Sequence, residues 1–365
     1  MSHDYARRLA RARDATERAG LDALVVTPSA DLVYLVGYDA PQLERLTALV
    51  LRVGGDPLLL VPELERPRAA ASPAGQLVGI DSWPDSEVPY EALRRALGGA
   101  GRYGATDRMW GRHLLELQRA LPKAEFVPAS PVMSRLRTRK EPEEIELLAR
   151  AGSSADETFG RIAREGLMGR TEEEVSRSLA AHLVDTGHQS AGSGIVASGP
   201  NGASPHHQPS DRTIRHGDTV VLDFGGRVGG YYSDISRTVS AGEPTPEVRD
   251  VHEIVRDAQE AAFRSVRPGV PAEDIDETAR QVIEGAGYGH AILHRTGHGI
   301  GLEEHEEPYI VKGNDQPLQP GMCFSIEPGI YLQSRFGVRI EDIVVVTEDG
   351  ARRLNDAPRE LTVVA

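Results

Sequence analysis

TVVLDFGGRVGGYYSDISR, Thr219 to Arg237, is the stretch on which the reading of this chain turns. Val220, Val221 and Leu222 have strand composition, and the glycine pairs Gly225-Gly226 and Gly229-Gly230 let the chain return on itself as a hairpin. Asp223 and Asp234 then stand at the ends of two apolar or aromatic runs and face a common interior. Burying an unpaired carboxylate is costly or forces a pKa shift, so two of them call for a cation.

The pattern recurs. Gly217-Asp-Thr-Val-Val-Leu-Asp223-Phe-Gly225 matches Gly321-Met-Cys-Phe-Ser-Ile-Glu327-Pro-Gly329 position for position. Each carboxylate is followed by a second one across a hairpin, Asp234 in the first case and Glu341 of Ile340-Glu-Asp-Ile343 in the other. Between them lies Thr296-Gly-His298-Gly-Ile-Gly301, a histidine whose flanking glycines let backbone and ligand approach closely. A single Asp at a strand end more often caps a turn or joins an ion pair. Five ligand-type residues, Asp223, Asp234, His298, Glu327 and Glu341, in these contexts are far harder to assemble by chance.

These residues resemble the five-ligand dinuclear metal site of the pita-bread metallopeptidases, and their surroundings resemble the proline-specific branch, the Xaa-Pro dipeptidases (prolidases) and aminopeptidases P. The resemblance implies an α+β fold, with a C-terminal pita-bread (creatinase/aminopeptidase-like) catalytic domain and an N-terminal α/β creatinase-like domain. It implies that Asp223 chelates one ion, His298 and Glu327 hold the other, and Asp234 and Glu341 bridge them. Four carboxylates and one imidazole suit two divalent ions, Mn(II) first, with Co(II), Zn(II) or Fe(II) allowed. Water held between two cations loses a proton near neutral pH, which leads to peptide hydrolysis. By the same resemblance His206 contacts substrate near the scissile bond, His305 steadies the tetrahedral intermediate, Glu327 also carries a proton to the leaving nitrogen, and Arg339 orients ligands or anchors a substrate carboxylate. A lone loop histidine is ordinarily a bystander, and His207 and His294 have the weaker claims.

Composition is consistent with this. At 365 residues, 39% hydrophobic and 26% charged, the chain is globular and long enough for two domains. A net charge of −14 argues against nucleic acid, and the carboxylate site accounts for part of it. Cys323 lies in an apolar run and reads as a small buried hydrophobe, with no partner in the chain for a disulfide. The opening MSHDYARRLARARDATERAG has no apolar signal core, so neither secretion nor membrane insertion is expected and the address is cytoplasmic.

Along the chain, Tyr5 to Ala19 has helical spacing with Gly20 as its stop, and Leu46 to Val53 and Pro57 to Val61 form a hairpin around Gly54-Gly55. Further helix and strand patterns alternate to Val127, with no phosphate-binding glycine loop. The basic run Arg135, Arg137, Arg139, Lys140 reads as a solvated linker at a domain junction. The domains are therefore expected at 1–137 and 138–365. The second begins with a helix that has Pro142 in its first turn and an apolar face at Ile145, Leu148, Ala149, Phe159 and Ile162. Thr171-Glu-Glu-Glu174 is a capping box, and strand-like Ala191 to Ala197 leads to a turn-rich loop ending in His206-His207. Helices Pro246 to Val266 and Pro271 to Glu284 complete an internally duplicated α+β domain.

Other hydrolase readings fail: His305-Glu-Glu-Pro308 has a proline where a zinc-protease helix must continue, and there is no G-x-S-x-G elbow. A glycosidase pair at Asp223 and Asp234 does not explain the other three ligand-type residues. A non-catalytic pita-bread binding protein is disfavoured because such relatives have replaced several of the five residues. The reading is a metallo-exopeptidase for small proline-containing peptides, leaning to dipeptidase over aminopeptidase P, and by resemblance a homodimer. Some prolidases place an arginine after the proline of the His-Glu-x-Pro segment; here that place holds Tyr309. This leaves His206, His294, Arg295 and Arg339 as partners for a substrate carboxylate.

Overall fold

The computed structural model describes residues 3–191 and 194–365, in two compact units, Met1–Arg137 and Thr138–Ala365. The first unit is a six-stranded sheet with helices. Its strands are β1 (Ala23–Val26), β2 (Ala48–Arg52), β3 (Leu58–Pro62), β4 (Gly79–Trp83), β5 (Arg102–Ala105) and β6 (Glu125–Pro128), in the spatial order β4-β3-β2-β1-β5-β6. Its helices are α1 (Tyr5–Arg18), α2 (Ala30–Val36), α3 (Arg66–Ala71), α4 (Ala74–Leu77), α5 (Tyr90–Leu97), α6 (Gly111–Ala120) and α7 (Ser130–Arg137). Every side chain of β1 is buried, as a central strand covered on both faces requires. The expected β2–β3 hairpin is present as an antiparallel pair. Gly20, at φ +66°, ends α1 in the left-handed conformation that glycine adopts without strain.

The linker reading of the basic run needs correcting. Arg135 and Arg137 lie on α7, where Arg137 pairs with Asp31 at 2.8 Å, and Lys140 is buried against Glu306 at 2.7 Å. Partners distant in sequence take up the charges of Arg137 and Lys140, which spacing alone does not reveal, while Arg135 and Arg139 are exposed as a solvated run requires.

The second unit is built twice. Its first half contains α8 (Pro142–Glu165), α9 (Glu172–Asp185), β7 (Ser190–Ala191), β8 (Ile195–Ser198), β9 (Thr219–Val228) and β10 (Tyr231–Ala241). Gly192 and Ser193, inside the strand expected from Ala191 to Ala197, lie outside the described residues. The second half contains α10 (Pro246–Ser265), α11 (Ala272–Gly285), β11 (Gly297–Gly299), β12 (Glu306–Ile310), β13 (Cys323–Ile326), β14 (Gly329–Leu332), β15 (Phe336–Arg339), β16 (Asp342–Val346), β17 (Ala351–Arg353) and β18 (Thr362–Val364).

The duplication extends to individual hydrogen bonds. Gly169 N donates to Ile214 O and Gly269 N to Leu318 O, while Glu172 N donates to Arg212 O and Ala272 N to Gln316 O. Each half therefore pins the start of its second helix to the segment entering its strands. Leu179, Leu183, Leu222 and Ile235 belong to the core of the first half, and Val255, Ile275, Phe324 and Val344 to that of the second. The sheets β18-β10-β9-β7, with β8 also on β9, and β12-β11-β13-β16-β17 meet at an isolated bridge between Ser236 and Glu341.

Candidate metal centre

In the β9–β10 ladder Asp223 pairs with Ser236 and Asp234 with Gly225, so the two aspartates are diagonal neighbours on one face. A Cβ on Gly225 would stand 2.0 Å from Ser233 O, so glycine is what lets the strands close here. The bridge between the sheets brings in the second half: Glu341 N donates to Ser236 O at 3.0 Å, and Ser236 Oγ to Glu341 Oε2 at 2.9 Å. His298, central in β11, has its backbone N–H on Ser325 Oγ at 3.0 Å. Glu327 follows β13 and donates from its backbone to Thr296 O at 2.7 Å.

All five ligand-type residues converge. His298 Nε2 stands 3.3 Å from Glu327 Oε1 and 3.6 Å from Asp234 Oδ2. Three sets of ligand atoms lie within 4.8 Å of one another: Asp223, Asp234 and Glu341; His298, Glu327 and Glu341; and Asp234, His298 and His305. Glu341, Asp234 and His298 each belong to two of these sets.

The electrostatics fit a cation. Burial, then the charges of Asp223 and its neighbours, holds Asp234 well above the usual carboxylate range. Burial, then Asp234, does the same to Glu341. Burial raises Glu327 to about 7, against the pull of Arg339. Glu341 Oε1 is buried with no hydrogen-bond partner among the described residues. Burial, then His305, lowers His298 to about 3, so its ring is neutral. Its Nδ1 lies 3.1 Å from Gly299 O and donates to it, which turns the Nε2 lone pair toward Asp234 and Glu327. A lone pair facing crowded carboxylates, with an orphaned carboxylate oxygen beside them, is a donor set shaped for divalent cations.

These residues line a cavity of about 590 Å³. His206 and His305, both exposed, and Arg295 are on its wall. Arg339 is buried and fully engaged: it donates to Asp223 Oδ2, Ser236 Oγ, Tyr331 Oη and Pro205 O. His294 is engaged as well. Tyr331 accepts from Arg339 and so donates its own proton to His294 Nε2 at 2.7 Å, while His294 Nδ1 donates to Arg295 O at 2.7 Å. Burial raises the Tyr331 phenol to about 12, so it keeps that proton. The expectation of a substrate hydrogen bond from His294 therefore meets a ring with both nitrogens committed within the cavity wall. Tyr309 stands under Arg295, whose guanidinium carbon is 4.2 Å from the ring centroid. His207 turns to Glu172, 2.9 Å away.

Sequence reasoning missed Tyr331, Ser236 and Glu304. The first two bind the Arg339 network through cross-strand contacts with no local signature. Glu304 lines the cavity, and burial, then Asp223, raises its carboxyl. The signal available for it was its place beside His305.

A duplicated α+β unit whose two sheets meet on four carboxylates and an imidazole defines a candidate metal-binding centre. The model of Metallopeptidase family M24 matches residues 146–348, and that of the Creatinase/Prolidase N-terminal domain matches 8–139. The probable dipeptidase PepE of Mycobacterium tuberculosis is 50% identical over 363 residues, 99% of this chain and 96% of the relative. An Xaa-Pro dipeptidase of Lactobacillus helveticus is 37% identical, over 94% of this chain and 95% of its own. The crystal structure of dipeptidase PepE from Mycobacterium ulcerans superposes with a TM-score of 0.95 at 49% identity and full coverage of both chains. The chain belongs to metallopeptidase family M24, with a creatinase-type N-terminal domain followed in sequence by the pita-bread fold. It is a metallo-exopeptidase, with peptides as substrates and divalent metal ions as cofactors. Among the described residues no helix is long and apolar enough to cross a membrane.

Proposed function

We propose that this enzyme is an Xaa-Pro dipeptidase with a dinuclear centre, Mn(II) being the first choice of metal. Asp223 would hold one ion, His298 and Glu327 the other, with Asp234 and Glu341 shared, the roles that the family resemblance gives them; in support, Glu341 belongs both to the set with Asp223 and to the set with His298 and Glu327. Bound ions would supply an activated water and an electrophile for the scissile carbonyl. Glu327, as its family counterpart is thought to do, would relay a proton from the activated water to the leaving proline nitrogen. His206 and His305 donate hydrogen bonds to substrate from the cavity wall.

The observation that carries the dipeptidase reading is Arg295. Of the cations on the cavity wall Arg339 is spent on internal partners, whereas Arg295 makes no ion pair among the described residues. Held by the Tyr309 ring, it is the cation available for the free carboxylate of a C-terminal proline. Tyr309 thus serves substrate binding indirectly. Glu304, also without an ion pair among the described residues, offers the opposite charge for the free ammonium. A zwitterionic dipeptide matches both.

The experiment is a comparison of kcat/KM on Xaa-Pro, Xaa-Pro-Xaa and Xaa-Ala peptides, repeated in Arg295→Leu. Xaa-Pro should lead Xaa-Pro-Xaa by less than about a hundredfold, and Arg295→Leu should remove most of that lead by raising KM for the dipeptide. Preference for tripeptides would move the enzyme to aminopeptidase P, and equal rates on Xaa-Ala would sink the proline specificity. The same reading carries a cytoplasmic homodimer, whose assembly light scattering of the active enzyme checks.

A further inference from the structure

Glu172 opens α9, and although it heads a run of three glutamates it is fully buried. Its Oε1 accepts from Ser198 N at 2.7 Å, Ser198 Oγ at 2.7 Å and Asn201 Nδ2 at 3.0 Å. Its Oε2 accepts from His207 Nε2 at 2.9 Å, Ser210 N at 3.1 Å and Ser210 Oγ at 2.7 Å. All these donors belong to one segment, 198–210. That segment brings His206 to the cavity wall, and its Pro205 carbonyl accepts from Arg339.

The helix does not need Glu172 as a cap. Thr171 and Glu174 already form a complete capping box at the start of α9. A buried carboxylate is tolerated only when saturated with donors, and two oxygens without a hydrogen of their own are what six converging donors require. Burial alone would raise the Glu172 carboxyl, but the hydrogen bonds of Ser210, Ser198 and His207 outweigh it and bring the group to about 2. Glu172 is therefore an anion at any working pH. The second half meets the same need one turn later on its equivalent helix, where buried Asp276 accepts from Thr296 N at 2.9 Å and Lys312 N at 3.2 Å, ordering the approach to His298.

We propose that Glu172 is a positioning residue for the peptidase reaction: its carboxylate gathers the 198–210 segment and so aims His206 at the substrate. This rests on the reading of His206 as a substrate contact.

The test uses the full-length, metal-loaded enzyme and Glu172→Gln. Glutamine keeps one acceptor oxygen but turns an NH₂ toward three donors, so one arm of the segment must let go. Amide hydrogen exchange within 198–210 should accelerate about tenfold or more while that of β9 and β10 stays unchanged. With metal content intact, kcat/KM should fall by roughly ten- to a hundredfold, the scale of a misplaced substrate contact. In a His206→Ala background the same change should cost less than about twofold more, because the loss travels through His206.

Unchanged exchange in the segment, or the full loss repeated in the His206→Ala background, overturns the proposal. Ser210→Ala keeps the charge and removes one donor; it should give a smaller change in the same segment and decides the matter if Glu172→Gln fails to fold. If the wild type cleaves no Xaa-Pro peptide, the substrate assignment falls, and the exchange result still supports or overturns the role of Glu172.

Discussion

At the residue scale, the centre is a problem of charge crowding. Glu341 is buried, one of its oxygens is held by Ser236 and the other has no partner among the described residues. Asp234 and Glu341 are the carboxylates within reach of two candidate ion positions each. Glu341→Gln, nearly the same in shape but one charge poorer, should therefore lower occupancy of both positions, and metal analysis should find fewer than about one tightly held ion with kcat down at least a hundredfold. Two ions retained at near-native kcat would show that Glu341 is no bridge. Cys323, by contrast, needs no chemistry. Burial raises its thiol to about 12, in keeping with a small hydrophobe in a strand.

At the element scale, Asp223, Asp234 and His298 stand on strands and Glu327 and Glu341 directly beside strand ends, where the ladders fix them closely, and glycine permits the approach. A Cβ on Gly297, next to His298, would lie 1.9 Å from the backbone oxygen of Ser325 on β13. Gly297→Ala should thus force β11 from β13, destabilising the protein by roughly 1–3 kcal/mol or more and displacing His298. The urea midpoint should drop, and metal affinity with it. A midpoint unchanged from wild type would mean that the strands have slack that their spacing denies.

At the scale of the whole molecule, the ligands oppose folding until cations arrive. In the metal-free protein Asp234 and Glu341 are held well above the ordinary carboxylate range and Glu327 is raised to about 7. Between pH 6.5 and 8 the unfolded carboxylates are ionised while the folded ones still hold protons, so the folded state binds more protons and its stability falls as pH rises. Histidines lowered by burial, such as His298 at about 3 and His294 at about 4, favour the opposite trend, but only below about pH 6.5, where the unfolded imidazole takes up its proton. The Tm of chelator-treated protein should accordingly fall from pH 6.5 to 8. Saturating Mn(II) should raise Tm throughout and flatten the slope, because the ligands are then ionised in the folded state too. A metal-free Tm that climbs across that window would contradict the burial of these carboxylates.

What the sequence determined alone is the set of groups with strong local signatures. The glycine-framed carboxylates, the Gly-His-Gly segment, the helix starts at Pro142 and Thr171 and the repeated half were legible because turn chemistry and periodicity act over a few residues. Tertiary structure alone decided which charges are free. Arg295 and Arg339 look alike in sequence, yet Arg339 is used up by Tyr331, Ser236 and Asp223 from other strands, whereas Arg295 stacks on Tyr309 and makes no ion pair among the described residues. Likewise Glu172, one of three consecutive glutamates, is singled out by donors 26 to 38 residues away. Hydrogen-bond saturation and burial depend on what the fold brings within about 3 Å, and no spacing along the chain encodes that.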